Sequence, residues 1–476
     1  MTLNKKKYIH LIIMFAIVAI ISLLPPFGQI TPFGMKVLAV FVSVLYGWIA
    51  FDLFWSSIFG FVVIAALQLM PVGQAFATGM GNSMLINILL SMSFALAVDL
   101  SGVTDFMANW LLQRKIMRKS PWFLIVGLLA TGALIGCVGP SLAVIFLLWS
   151  ITMRIADYCG VKKGDPLLSF MIMMIPVCTM TAALILPFRG GALVYLAYLY
   201  QVTTVQFETL PFIIFALVCV VLILAIMIIA CKLFLRMDVS KFELPDSIIE
   251  EIHNKQSTKK QKISFIVLVV YILALLLASI IPFPGSTWIN TMGVGGISAL
   301  AVLILAVLNF EGKGYINLSE VFSRMDWSLY FLLAVTYPIA ELLKHEDAGI
   351  MPTILKAVTP IVSGMGPVPF IIVCMVCLGL LTQVTHNIVL GAMFMPMLLP
   401  ILDSMGGNMY TLWIILFFTL NFAYCTPAGS FQSALVFGNK NMEIKHAYIM
   451  GMLLIVTAFI VFSVVGIPLG NMLFKF

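Results

Sequence analysis

Charge is what this sequence has least of. Asp, Glu, Lys and Arg make up 9% of its 476 residues, whereas a soluble domain uses roughly 25% to cover its surface. A water-soluble globular chain is thereby excluded. With 62% hydrophobic residues and a mean hydropathy of +1.13, the chain reads as an all-α polytopic membrane protein whose main solvent is the bilayer. Histidine is scarce and scattered, and no paired carboxylates, His-rich cluster or activated nucleophile falls at mid-membrane depth. Enzyme chemistry is therefore not expected. The eight cysteines, among them Cys137, Cys178, Cys374 and Cys425, lie in apolar runs and read as small core hydrophobes, with no disulfide or metal site implied. A net charge of +7 would suggest nucleic acid in a soluble protein. Here the lysines and arginines gather at the ends of apolar runs, the positive-inside pattern, so a nucleic-acid partner is set aside.

What is present is a series of apolar runs. Lys5, Lys6 and Lys7 precede the first, which ends at Pro25-Pro26 without a small-residue cleavage site. It reads as a retained helix at about 9–24 with its N-terminus cytoplasmic, in the cell membrane. Spans follow at about 35–51, 54–72 and 83–100. Residues 103–119 mix Phe106, Trp110 and Leu111 with Arg114, Lys115, Arg118 and Lys119, which suits a helix lying in the interface. The passage 121–153 is too long for one span and is interrupted at Gly136-Cys137-Val138-Gly139-Pro140-Ser141, the pattern of a re-entrant hairpin. The passage 166–202 is broken at Arg189, and a full span covers about 210–235.

An aqueous linker carrying Glu243, Asp246, Glu250, Glu251, Lys255, Lys259, Lys260 and Lys262 separates this series from a second one. Spans recur at about 263–282, 290–309 and 327–343, with an amphipathic stretch near 346–363. A passage at 366–402 is interrupted at Thr385-His386-Asn387, another at 408–438 is interrupted at Thr426-Pro427-Ala428-Gly429-Ser430, and the last span is about 446–472. The expected organisation is an N-terminal helix (1–34), a first repeat (35–236), a cytoplasmic linker (237–262) and a second repeat (263–476). Ser83, Gly102 and Ser141 correspond in layout to Ser328, Gly349 and Asn387. An odd number of crossings between the halves gives them inverted topology. About eleven transmembrane helices in two inverted repeats, each with a re-entrant hairpin and a broken helix, is the architecture of a secondary transporter.

The breaks carry the chemistry. Arg189 is the only formally charged residue between Asp165 and Glu208 and is flanked by Pro187 and by Gly190-Gly191. Placing a guanidinium at that depth costs at least about 2.5 kcal/mol, so it must be compensated or used. Freed backbone at helix ends can hold an anion or a cation. Gly139, Pro140 and Ser141 in the first half, and Thr385, His386, Asn387, Thr426, Pro427 and Ser430 in the second, join Arg189 as candidate substrate-binding residues. Thr385, Asn387, Thr426 and Gly429 are candidates for a cation.

Two hairpins, two unwound helices, two interfacial helices and eleven spans resemble the divalent anion/sodium symporter family and the wider ion transporter superfamily, over essentially the whole chain. Thr385-His386-Asn387 leading to Met395-Pro396 and Leu399-Pro400 matches the family's second hairpin in position and partly in chemistry, and Thr426-Pro427 leading to Ala434-Leu435-Val436-Phe437-Gly438 matches its unwound loop. The resemblance implies an elevator-type carrier, homodimeric, that moves di- or tricarboxylates or related oxyanions, with sodium as the candidate coupling ion. The first half departs from the family pattern. Gly139-Pro140-Ser141 stands where the family has Ser-Asn-Thr, and Arg189 stands among groups that are normally neutral. Arg189 then either replaces a sodium ion, which reduces or removes sodium dependence, or forms a bidentate pair with a substrate carboxylate.

Alternatives stay open at this point. An anion exchanger, or a carrier of a monocarboxylate or of an inorganic oxyanion such as sulfate, is the second reading, and a channel the third. Arg189 could snorkel to an interface. His386 could couple protons or simply be hydrogen-bonded within its tip. Asn421 could be helix-to-helix glue or a ligand. Ser430 and Gln432 could bind substrate or bond the freed backbone of their own break.

Overall fold

The computed structural model describes residues 5–114, 117, 119–138, 141–204, 208–235, 237–240, 242–243, 257–281, 283–310, 313–314, 316–350, 352–353, 356 and 364–474. It is a helical bundle. The first half contains α1 (Lys5–Leu23), α2 (Pro32–Ala50), α3 (Leu53–Ala66), α4 (Val72–Met80), α5 (Ser83–Leu100) and α6 (Val103–Leu112). It continues through α7 (Pro121–Val138), α8 (Ser141–Tyr158), α9 (Pro166–Ala182), α10 (Gly190–Leu199) and α11 (Thr209–Leu235). The second half contains α12 (Lys259–Ile280), α13 (Ser286–Val307), the short α14 (Leu318–Ser323) and α15 (Trp327–Lys344). It ends with α16 (Pro367–Leu381), α17 (Asn387–Ser404), α18 (Met409–Asn421), α19 (Phe431–Gly438), α20 (Ile444–Val461) and α21 (Ile467–Leu473). A two-residue ladder pairs Asn309–Phe310 with Lys313–Gly314. Among the described residues, eight helices of 18 residues or more are long and apolar enough to cross a membrane, and five further apolar helices are shorter. The chain is a multi-pass membrane protein.

Local chemistry sets the helix ends. Thr31 accepts from the Gly34 N–H ahead of Pro32, and Asp165 accepts from the Leu167 N–H ahead of Pro166. In both cases a side-chain cap precedes a proline whose missing N–H is not needed in the first turn. Thr258 and Gln261 form a reciprocal capping box, so α12 begins at Lys259, earlier than 263, and Lys259, Lys260 and Lys262 belong to its first turns. The expected span at 54–72 is two elements. Helix α3 stops at Ala66, Gln68 takes a positive φ of 58°, and α4 starts after Pro71. Helix α13 bends at Gly293, whose φ is 64°. The interfacial stretch is helical to Leu112, with 115, 116 and 118 outside the described residues. The second amphipathic stretch opens with a turn at Glu346–Ala348, and 351, 354, 355 and 357–363 lie outside. Most of the linker, 244–256, also lies outside. Cys377 is exposed, unlike Cys374 on the same helix, and so does not serve as a core residue.

Packing joins the first half of the chain to the second. Helix α3 of the first half packs on α15 of the second, while α5 packs on α13. Small residues allow the close crossings that hold helices together where lipid offers no hydrophobic drive. A Cβ on Gly79 would lie 2.2 Å from the Ala334 carbonyl oxygen, and one on Gly295 would lie 2.4 Å from Asn87 Oδ1. The helices that precede the two breaks occupy the centre. Every residue from Leu167 to Thr179 on α9 and from Tyr410 to Leu420 on α18 is buried, as a helix apolar on all sides requires.

Candidate functional site

The first break spans 183–189 between α9 and α10. Pro187 has no N–H to continue a helix, and Arg189 sits in extended backbone (φ −95°, ψ 155°) just before Gly190. Its guanidinium donates to the Gly136 carbonyl oxygen near the end of α7. That oxygen is among the last four carbonyls of the helix, which lack an intrahelical donor, and the helix C-terminus favours a cation. The pairing depends on a close crossing of α7 and α9. A Cβ on Gly136 would lie 2.2 Å from the Thr179 carbonyl oxygen, and one on Gly132 would lie 2.6 Å from its hydroxyl.

The second break spans 422–430, and its centre is a residue that the sequence reading missed. Gln383, buried in the turn just past α16, accepts from the Cys425 N–H (2.9 Å) through Oε1. Through Nε2 it donates to the Gly379 and Phe422 carbonyls (2.8 and 3.2 Å). The Thr426 hydroxyl donates to the Gln383 backbone carbonyl, and Gly429 sits where a Cβ would come within 3.0 Å of that same oxygen. Ser430 caps α19 by accepting from the Ser433 N–H (3.1 Å) and donates to the Ala423 carbonyl (2.8 Å). Ser433 in turn donates to the Thr426 carbonyl (2.6 Å). The unwound backbone is thus bonded by Gln383, Ser430 and Ser433, and by the Thr426 hydroxyl, which accepts from the Ala428 N–H at 3.3 Å. The signal for Gln383 was an amide just past an otherwise apolar helix, two residues before the tip.

At the second hairpin tip, Thr385 is half-buried, His386 is exposed, and Asn387 starts α17. Asn387 donates to Asn421 Oδ1 (3.0 Å), and Asn421 donates to the Phe417 carbonyl (2.7 Å). Helix α10, directly after the first break, reaches across to the same tip. The Tyr195 hydroxyl donates to the Asn387 carbonyl (3.2 Å) and the Tyr198 hydroxyl to the Ile388 carbonyl (3.1 Å). The two tyrosines crowd Gly391, leaving no room for a Cβ.

A cavity of about 330 Å³ opens where these parts meet. Cys137 and Val138 of the first hairpin, Arg189 of the first break, and Asn421, Tyr424 and Gln432 around the second break line it. Helices α5 and α12 close it with Ser91, Phe94, Leu268 and Tyr271. Of the expected substrate-binding residues, its described lining includes Arg189. Thr385, His386, Asn387, Thr426, Pro427 and Ser430 stand in the neighbouring cluster at the second tip and break, to which Asn421 is the link. Gly139 and Pro140 lie outside the described residues, as does the side chain of Ser141.

A membrane-spanning bundle in which the first hairpin and two broken helices line a cavity with a guanidinium in its wall, and a second hairpin tip stands beside it, is the fold of a transporter. The chain belongs to the citrate transporter family (CitMHS), whose model matches residues 37–390, within the superfamily that the hairpin and break motifs resemble. It is 23% identical over 145 residues to the sodium-dependent high-affinity dicarboxylate transporter 2 of Caenorhabditis elegans, a stretch that covers 30% of this chain and 26% of that protein. The match thus spans about a quarter of that relative's length. The fold is similar to the crystal structure of the Alcanivorax borkumensis YdaH transporter, with a TM-score of 0.53 at 12% identity, over 83% of this chain and 89% of that one.

Proposed function

We propose that the protein is a secondary active transporter of carboxylate-type anions that works by alternating access. In this reading the halves are inverted repeats, the hairpins are re-entrant, and α7–α10 with α16–α19 move as one body past the remaining spans in an elevator motion. The observation that carries it is the Arg189 guanidinium in the wall of the cavity between both broken helices. A guanidinium recognises a carboxylate by two parallel hydrogen bonds, and the citrate and dicarboxylate in the names of its relatives support a carboxylate as cargo.

The second half carries neutral Thr426, Pro427 and Ser430 where the first has Arg189. We infer that Arg189 takes the place of one coupling cation. Sodium coupling then runs through Thr385, Asn387, Thr426 and Gly429 or is absent. Thr426 fits such a role, since its hydroxyl donates to Gln383, accepts from the Ala428 N–H and keeps one lone pair for an ion. The protein acts as a homodimer in the cell membrane with its N-terminus cytoplasmic. The test is uptake into proteoliposomes from a panel of labelled butyrate, benzoate, succinate and citrate, with and without sodium. Saturable uptake with counterflow of label, and a sodium Hill slope near one or no sodium dependence, is the expected result. Flux that rises linearly without counterflow marks a channel, and strongly cooperative sodium activation overturns the cation-replacement role.

A further inference from the structure

The wall of the Arg189 cavity limits what can bind there. Among the described lining residues Arg189 carries the one formal charge. The polar side chains around it are already committed. Asn421 accepts from Asn387 and donates to the Phe417 carbonyl. Tyr271 and Ser91 share hydrogen bonds with Ser298 at 3.0 and 3.3 Å. Tyr424 donates to the Pro176 carbonyl. Gln432 faces a softer partner, with its amide 3.6 Å from the Met180 thioether, and can turn to a ligand oxygen. The remaining wall includes Phe94, Val98, Leu184, Leu186, Phe188 and Leu268.

A buried carboxylate needs a cation or several donors, and an apolar wall supplies neither. The described side chains of this cavity present one guanidinium and one amide. A second or third carboxylate would be desolvated against leucine and phenylalanine. A volume of about 330 Å³ lies at the small end of ligand pockets, which run from roughly 300 to 1,000 Å³.

We infer that the preferred substrate is an amphipathic monocarboxylate, its carboxylate on Arg189 and an aliphatic or aromatic body against the Phe94, Leu184, Phe188 and Leu268 side of the cavity. This rests on the proposal that the protein carries carboxylates and that this cavity is where it binds them. It narrows that class away from the di- and tricarboxylates that the sequence resemblance implies. Each added methylene buries about 0.8 kcal/mol of apolar surface, which is about a fourfold gain in affinity until the cavity is full.

The experiment is a set of dissociation constants measured by calorimetry on the purified full-length protein in lipid nanodiscs. Acetate, butyrate, hexanoate and benzoate are compared with succinate and citrate, and every titration is repeated on Arg189→Gln and on empty nanodiscs. Affinity is expected to rise about fourfold per methylene from acetate to hexanoate, with succinate weaker than butyrate and citrate weaker still. Arg189→Gln is expected to lose the whole series, and Leu268→Gln to flatten its slope. Succinate or citrate binding more tightly than every monocarboxylate overturns the inference and leaves the carboxylate carrier standing. Hexanoate binding unchanged in Arg189→Gln overturns it as well, because the acid is then partitioning elsewhere. Binding by none of the acids overturns the carrier proposal itself.

Discussion

Replacing Gln383 with leucine keeps the volume of the side chain and removes its amide, which isolates what that amide does for the second break. Cys425 then loses the acceptor of its buried N–H, and an orphaned buried donor costs about 1–3 kcal/mol. Phe422 loses one donor to its carbonyl but keeps the bond from the Tyr424 N–H at 3.2 Å. That smaller loss is about 0.5–1 kcal/mol. The Thr426 hydroxyl is unaffected, since its partner is the backbone carbonyl of residue 383. The loop is therefore destabilised by about 2 kcal/mol, and its open population rises roughly thirtyfold. Hydrogen exchange followed by mass spectrometry reads this directly. Peptides covering 422–430 should lose about one and a half orders of magnitude of protection while peptides from α9 and α13 keep theirs. Protection at 422–430 unchanged within about twofold would show that the break is held by something other than Gln383.

Further tests address the joints between elements. Gly136→Ala forces a methyl group against the Thr179 carbonyl at a site with no room for it. It should lower stability by about 1–3 kcal/mol, read as a lower thermal midpoint in detergent, whereas Gly73→Ala, with open space around it, should leave the midpoint unchanged; equal midpoints for the two variants would contradict the close crossing of α7 and α9. Tyr195→Phe and Tyr198→Phe each remove one bond to the second hairpin tip and should each cost about 0.5–1.5 kcal/mol. Because the two hydroxyls serve adjacent carbonyls of one tip, the double variant should depart from additivity, and strict additivity would argue that they act independently.

Much of the architecture was legible because helix breaks announce themselves locally. Pro187 with Gly190-Gly191, and Thr426-Pro427 with Gly429, mark the two places where an apolar passage cannot remain helical, and the chain unwinds at 183–189 and 422–430. The split of the third run at Gln68 and Pro71 was not foreseen, because a residue in left-handed backbone leaves no periodic trace. What holds the breaks was harder to see. Tyr195 meets Asn387 across 192 positions of sequence and Cys425 meets Gln383 across 42, and spacing on one helix says nothing of such partners. Ser430 and Gln432 had two readings; the Ser430 hydroxyl bonds the freed backbone of the second break, whereas the Gln432 amide faces the Met180 thioether. Arg189 was conspicuous as a lone charge, whereas the helices that close its cavity, α5 and α12, carry no local mark of that role beyond Ser91 and Tyr271 in apolar runs.

Binding by Arg189→Lys tests the central claim most directly. Lysine keeps the charge and loses the planar fork, so a carboxylate held by two parallel bonds should lose about 1.5–3 kcal/mol, or roughly 10- to 150-fold in dissociation constant. Calorimetric titration of wild type and variant with the tightest-binding carboxylate is expected to show that loss, with thermal midpoints in the absence of ligand serving to confirm folding. A folded Arg189→Lys variant that binds the same anion with unchanged affinity would contradict the account.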